Sequence, residues 1–208
     1  DITSLPKNGK HRFTVDYVTY YKAEVQLSEH MFITGLTGPG GRKTFFAGAA
    51  PSGCGKTTTA MVGTDFIGDD LAQFWIAGDC TLRAINPEKG IFGIVEDVNR
   101  EGDPYLMDCL RGEGTEVIWS NVLVDADGVP HWVGHGEEVP TSGSNFMGEW
   151  YEGKVDHEGN VVPLSHKNSR CTLLASAIAN HATQVAEDPQ GDPVKVITYS
   201  GRDSDTMP

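Results

Sequence analysis

The stretch FFAGAAPSGCGKTTTAMVGTDFIGDD, Phe45 to Asp70, decides the fold. An apolar run leads into a glycine-rich loop, the loop opens a helix at Thr57–Val62, and a second apolar run ends in two aspartates. The loop approximates the phosphate-binding pattern G-x-x-x-x-G-K-[ST], with Ala50 at the first glycine position and Gly55-Lys56-Thr57 intact. Gly53 and Gly55 allow the backbone to turn successive N–H groups toward one phosphate, and the following helix start adds its positive end. Lys56 supplies a cation for the β and γ phosphates, and the Thr57 hydroxyl suits a magnesium ion. A glycine-rich turn with an incidental lysine is the plainer alternative, and the apolar strand before an intact G-K-T weighs against it.

Asp69 and Asp70 follow Lys56 closely. Two carboxylates at a strand end beside a phosphate loop fit a divalent metal, although an isolated Asp pair usually marks a turn or a helix cap. Cys54 sits between two glycines of the loop. Beside a lysine and aligned amides it is expected to be a reactive thiolate, but the spacing gives no chemical need for a thiol there.

Outward from this stretch, HMFITGLT and KTFFAGAA, separated by GPGGR, read as a strand pair. Residues 11–27 are ambiguous between strand and short helix. CTLRAINPEKGIFGIVEDV reads as a hairpin turning at Asn86–Gly90, and EVIWSNVLVDADGVPHWVG as one turning at Asp125–Gly128. Residues 136–168, rich in Gly, Pro, Ser and Glu, read as a long irregular segment. TLLASAIANHATQVA carries Leu174, Ala177, Ile178, His181 and Val185 at helical spacing. PVKVITYSG is a strand delivering Gly201 and Arg202. The sum is an α/β fold with a mixed sheet, a P-loop and antiparallel hairpins, without regular βαβ alternation.

The 208 residues carry a formal net charge of −13, which disfavours a nucleic-acid-binding face but leaves sixteen Lys and Arg for a local phosphate pocket. No apolar run approaches the roughly 18 residues of a membrane span, so no membrane partner is expected. No secretory signal is expected either, and Cys54, Cys80, Cys109 and Cys171 lack zinc spacing and read as reduced cytosolic thiols. The chain opens DITSLPK and closes SGRDSDTMP, and both ends read as cuts through a longer protein.

The cysteine in the loop begins a resemblance. AAPSGCGKTTTAM resembles the P-S-A-C-G-K-T-N-L-A-M loop of GTP-dependent phosphoenolpyruvate carboxykinases. IGDDLA resembles V-G-D-D-I-A, LRAINPEKGIFGI resembles L-R-A-I-N-P-E-x-G-F-F-G-V, and SEHMFITGLTGPGGRKTFFAGAAPS resembles the E-H-M segment. SHKNSR is similar to H-P-N-S-R, and SGRDSDT to the G-G-R-D-S-D-T of archaeal-type members. The six segments are collinear over most of residues 28–206.

The resemblance implies a carboxykinase nucleotide-binding core, with residues 1–208 part of the C-terminal catalytic domain of a longer cytoplasmic enzyme of gluconeogenesis. It implies conversion of oxaloacetate and GTP to phosphoenolpyruvate, GDP and carbon dioxide, with Mn²⁺ on the protein and Mg²⁺ on the nucleotide. Ser52, Gly53, Cys54, Gly55, Lys56, Thr57 and Thr58 would contact nucleotide, Cys54 as a mobile-loop residue rather than a nucleophile. His30 and Asp70 would bind Mn²⁺ with a lysine matched by Lys10, while His11 could compete for that position. Asp69 would lie on the nucleotide-metal side. Ser52, Asn168 and Arg170 would hold substrate, and Arg202 would lie near the γ phosphate. Thr58, Lys167 and Ser200 depart from the family's Asn, Pro and Gly, and the interval from Lys56 to Asp70 is short. At 172–186 the family implies a strand followed by loop, against the helical pattern, and that expectation is preferred. The alternatives are a P-loop kinase of the HPr kinase type and a non-catalytic nucleotide- and metal-binding fragment or degenerate relative.

Overall fold

The structure is a computed structural model that describes residues 25–51 and 54–201. Lys10, His11, Ser52, Gly53 and Arg202 lie outside the described residues. The described residues separate into two compact units, 25–91 with 174–201 and 92–173.

The first unit is built on seven strands. β1 (Gln26–Glu29), β2 (Phe32–Thr37), β3 (Lys43–Ala49), β4 (Asp65–Gly68), β5 (Ala72–Ile76), β6 (Leu82–Ile85) and β14 (Asp192–Tyr199) lie in the order β1-β5-β6-β14-β3-β2-β4. The expected pair β2–β3 is antiparallel, with Phe32 opposite Gly48 and Thr37 opposite Lys43. β14 runs parallel to β3 and antiparallel to β6. The sheet is therefore mixed, as the sequence implied. Phe32, Ile33 and Thr34 are buried in succession, which is the pattern of an interior strand covered on both faces. The core is Met31, Ile33, Phe45, Ala47, Ile67, Ala72, Phe74, Ala84 and Val194. Gly48 has no alternative there, because a Cβ would run into the Phe32 ring and the Thr198 hydroxyl.

The helix after the loop is α1 (Lys56–Met61), one residue earlier than the pattern suggested. Three successive threonines are weak helix formers. Tertiary anchoring holds the turn instead. Ala60 and Met61 are buried, and the Asn180 side-chain amide donates to the carbonyls of Met61 at 2.7 Å and Gly63 at 2.8 Å.

The second unit contains α2 (Pro104–Arg111) and two small sheets. One has the order β7-β13-β8, from β7 (Gly90–Ile94), β13 (Arg170–Leu174) and β8 (Ile118–Ser120). The other has the order β10-β9-β11-β12, from β9 (Leu123–Val124), β10 (Pro130–His131), β11 (Ser142–Asn145) and β12 (Gly148–Tyr151). Leu123, Trp150 and Val162 form a core here, with Leu164 against it.

Three expectations change and a fourth holds. β6 and β7 are not a hairpin: β6 already pairs β5 on one side and β14 on the other, so β7 joins another sheet. The hairpin at 116–134 is real only between β9 and β10, since β8 pairs β13. Residues 136–168 contain the hairpin β11–β12, turned at Asn145–Gly148 with Gly148 at φ +89°. At 172–186 the expected strand followed by loop forms, as β13, a 3-10 turn (Ala175–Ala177) and a connection that ends in the short α3 (Thr183–Ala186), in place of the helix that the apolar spacing alone suggests. Cys171 and Leu173 are buried while Leu174 is exposed, so the real period at the start of that stretch is two.

Candidate functional site

The topology of the first unit brings the chemistry to one end of the sheet. β2 is antiparallel to β3 and β4, so the start of β2 lies beside the ends of both. β14, parallel to β3, ends at Tyr199 opposite Ala49 at that same end. β5 begins two residues after Asp70 and lies with its start beside the end of β6, since Gln73 pairs with Ile85. His30 before β2, the loop after β3, and Asp69–Asp70 after β4 therefore converge.

The side chains meet as the strands predict. His30 Nε2 is 2.5 Å from Asp70 Oδ1 and 2.7 Å from Lys56 Nζ. The Lys56 ammonium also donates to Asp70 Oδ1. The Thr57 hydroxyl donates to Asp69 Oδ2 at 2.8 Å. Asp69 is buried, and the Asp70 and Lys56 side chains are only 14% and 11% exposed, whereas His30 is 64% exposed. The cluster is thus walled on the protein side and open on the His30 side. Among the described residues no three His, Cys, Asp or Glu side chains gather as a metal cage, so His30 and Asp70 form a pair. Gly55 takes φ +75° at the N-cap of α1, the left-handed conformation that its position in the loop calls for. Cys54 is half-buried, with its N–H donated to the Pro51 carbonyl at 3.1 Å. Thr58 lies in the first turn of α1, and its carbonyl accepts from Val62.

Two elements fix this end of the sheet that the sequence reading did not single out. The segment Asn180–Ala182 lies along β4: Phe66 N–H donates to the Asn180 carbonyl, and Ala182 N–H to the Phe66 carbonyl. His181 packs its ring against Phe66, and burial pulls its pKa down. The second element is Asn86, whose amide reaches the carbonyl of Ile67 in β4. Only its place in an Asn-Pro-Glu turn could have pointed to it.

In the second unit the Arg170 Nε donates to Asn168 Oδ1 at 2.9 Å, and its guanidinium stacks 4.9 Å from the Phe92 ring centroid. Asn168 is itself held, with its N–H donated to His166 Nδ1 and its carbonyl accepting from Asn121. Partial burial pulls the Arg170 pKa down, yet a guanidinium remains charged at neutral pH. The arrangement is a fixed cation with a planar face already committed, suited to oxygens of an anionic ligand.

Comparison with known proteins agrees with this chemistry. Residues 26–208 match the family described as the phosphoenolpyruvate carboxykinase C-terminal P-loop domain. The chain is 48% identical over 183 residues to phosphoenolpyruvate carboxykinase [GTP] of Pyrococcus abyssi, covering 88% of this chain and 29% of that protein. The protein of the same name from Thermococcus kodakarensis is 46% identical with the same coverage. That from Anaeromyxobacter sp. (strain K) is 35% identical over 211 residues, covering 96% of this chain and 34% of the relative. The chain thus spans less than a third of the length of the archaeal relatives.

Proposed function

The chain belongs to the phosphoenolpyruvate carboxykinase family through its C-terminal P-loop domain, and from that premise we propose that it carries the phosphoryl-transfer centre of an archaeal-type, GTP-dependent carboxykinase. The reaction is oxaloacetate plus GTP to phosphoenolpyruvate, GDP and carbon dioxide. The C–C bond to the departing carboxylate breaks and leaves an enolate. The enolate oxygen attacks the γ phosphorus in line, and the bond to the β,γ-bridging oxygen breaks with its electron pair passing to GDP. The observation that carries this reading is the meeting of His30, Lys56, Thr57, Asp69 and Asp70 at one end of the sheet.

The donor set fits two divalent cations. An imidazole nitrogen and a carboxylate oxygen that already share a cation, with His30 open to solvent, suit Mn²⁺, with Lys10 as the proposed third ligand. Thr57 and Asp69, hydroxyl on carboxylate, suit the Mg²⁺ of the nucleotide. When bound, such ions supply Lewis-acid charge to the enolate and phosphoryl oxygens. The protein's own contribution is position and charge. Lys56, with Arg202 as a further proposed cation, neutralises phosphoryl oxygens, and Ser52, Gly53, Cys54, Gly55 and Thr58 line the nucleotide. The N-S-R resemblance assigns Asn168 and Arg170 to substrate and bridging oxygens. The guanine preference rests on the relatives' names. No described helix is long and apolar enough to cross a membrane, and the free cysteines agree with a cytoplasmic setting. The net charge of −13 agrees with small-molecule partners rather than nucleic acid.

The test is formation of phosphoenolpyruvate from oxaloacetate and GTP by the protein at its natural length, with Mn²⁺ and Mg²⁺ present. The wild type is expected to turn over and Lys56→Ala to lose at least about a hundredfold in kcat/KM, the scale of a removed transition-state donor. Full activity in Lys56→Ala contradicts the assignment of the loop.

A further inference from the structure

Asp69 and Asp70 lie on the short connection from β4 to β5. These strands are far apart in the sheet order, and a connection that reaches about 14 Å at most requires the sheet to curl until they approach. The chain from Gly68 to Ala72 must pass between them, and Leu71, buried within it, anchors its far side. Asn86, the residue after β6, reaches the end of β4 with its side chain. Asn86 Nδ2 donates to the Ile67 carbonyl at 3.3 Å and to the Glu88 carbonyl at 2.9 Å, and Asn86 Oδ1 accepts from the Glu88 N–H at 3.1 Å. The amide therefore ties the last turn of β4 to the turn after β6, using both donor and acceptor. It lies so close over Gly68 that a Cβ on Gly68 would overlap it. Gly68 immediately precedes the two aspartates and pairs with Ile33, near His30.

We propose that Asn86 is a positioning residue for the Asp69–Asp70 carboxylates: it clamps Ile67 and Gly68 so that Asp70 meets His30 and Asp69 meets Thr57. This rests on the reading that those carboxylates hold the metal ions. A side chain that orients a ligand without touching the metal typically changes metal affinity by about 10- to 100-fold when removed. Asn86 can act this way because its hydrogen bond to the Ile67 carbonyl holds the peptide between Ile67 and Gly68, next to the first carboxylate, while its two bonds to Glu88 hold the amide itself in place.

The experiment is a Mn²⁺ titration followed by the electron paramagnetic resonance signal of the free ion, using the protein at its natural length. Wild type, Asn86→Ala and Gly68→Ala are compared, with GDP affinity and thermal unfolding measured on the same samples. The expected result is Mn²⁺ affinity weaker by about tenfold or more in Asn86→Ala, with GDP affinity unchanged and cooperative unfolding kept. Gly68→Ala, which displaces the clamp without removing it, is expected to weaken Mn²⁺ similarly, and to do much less harm in the Asn86→Ala background. Should Asn86→Ala not fold, Gly68→Ala alone decides. Unchanged Mn²⁺ affinity, or equal losses of Mn²⁺ and GDP affinity, overturns the positioning role. Absence of Mn²⁺ binding by the wild type overturns the metal reading itself, and the role of Asn86 with it.

Discussion

Asp192, the first residue of β14, is buried at 4% exposure, and its Oδ2 has no hydrogen-bond partner. Burial, with Asp188 and Asp65 nearby, pushes its pKa up to about 7 against the pull of Lys43 and Arg83. A carboxyl raised in the folded state burdens folding only when ionised. Its penalty is absent below about pH 4, grows as pH rises toward 7, and is complete above that, reaching at most about 4 kcal/mol for such a shift. Asp192→Asn is therefore expected to be more stable than wild type at pH 8 and to lose that advantage at pH 4.5, measured by urea midpoints. An advantage independent of pH would contradict the placement. His181 acts with the opposite sign, since a depressed imidazole pKa removes stability as pH falls below about 6.5. The thiols give a second residue-scale prediction. Cys109 and Cys171 are buried, and burial pushes the Cys109 thiol up. Alkylation of the folded protein should label Cys54 and Cys80, and GDP should protect Cys54 alone; labelling first at Cys109 or Cys171 would contradict the packing. At this scale the loop and the acid pair were legible in sequence because their chemistry is local and fixed in spacing. Asn86 was not, because Ile67, its partner across the sheet, lies 19 residues away.

Elements were legible where their pairing is local and misleading where it is not. β2 and β3 announced themselves through two apolar runs and a Gly-Pro turn, and they pair as neighbours. β6 and β7 carried the same signal, yet β6 had no free edge to offer. The apolar spacing at 172–186 fits a helix, but Cys171 opposite Trp119 draws its start into a sheet. The resemblance anticipated that strand where periodicity alone did not. α1 shows the converse dependence, a helix of six residues rich in threonine that survives by outside help. Asn180→Ala removes both donors to the Met61 and Gly63 carbonyls and is expected to destabilise the protein by about 1–3 kcal/mol, read from the denaturant midpoint. No measurable loss would mean that α1 does not depend on this anchor.

Across the whole molecule, chain order hides the site and sheet order reveals it. His30, Lys56 and Asp70 are separated by 26 and 14 residues, and only antiparallel pairing of β2 with β3 and β4 makes them neighbours. Sequence could name these residues through the resemblance but could not place them against one another. The same arrangement concentrates positive and negative groups at one point in a chain whose formal charge is −13, which the proposed phosphoryl-transfer centre requires. The most direct measurement is an anomalous difference map from crystals of the protein at its natural length, grown with Mn²⁺ and GDP. The account predicts a Mn²⁺ peak ligated by His30 Nε2 and Asp70 Oδ1, with the Lys56 ammonium turned to phosphate oxygens. A fully occupied Mn²⁺ peak elsewhere, with Lys56 still bound to Asp70, would contradict it.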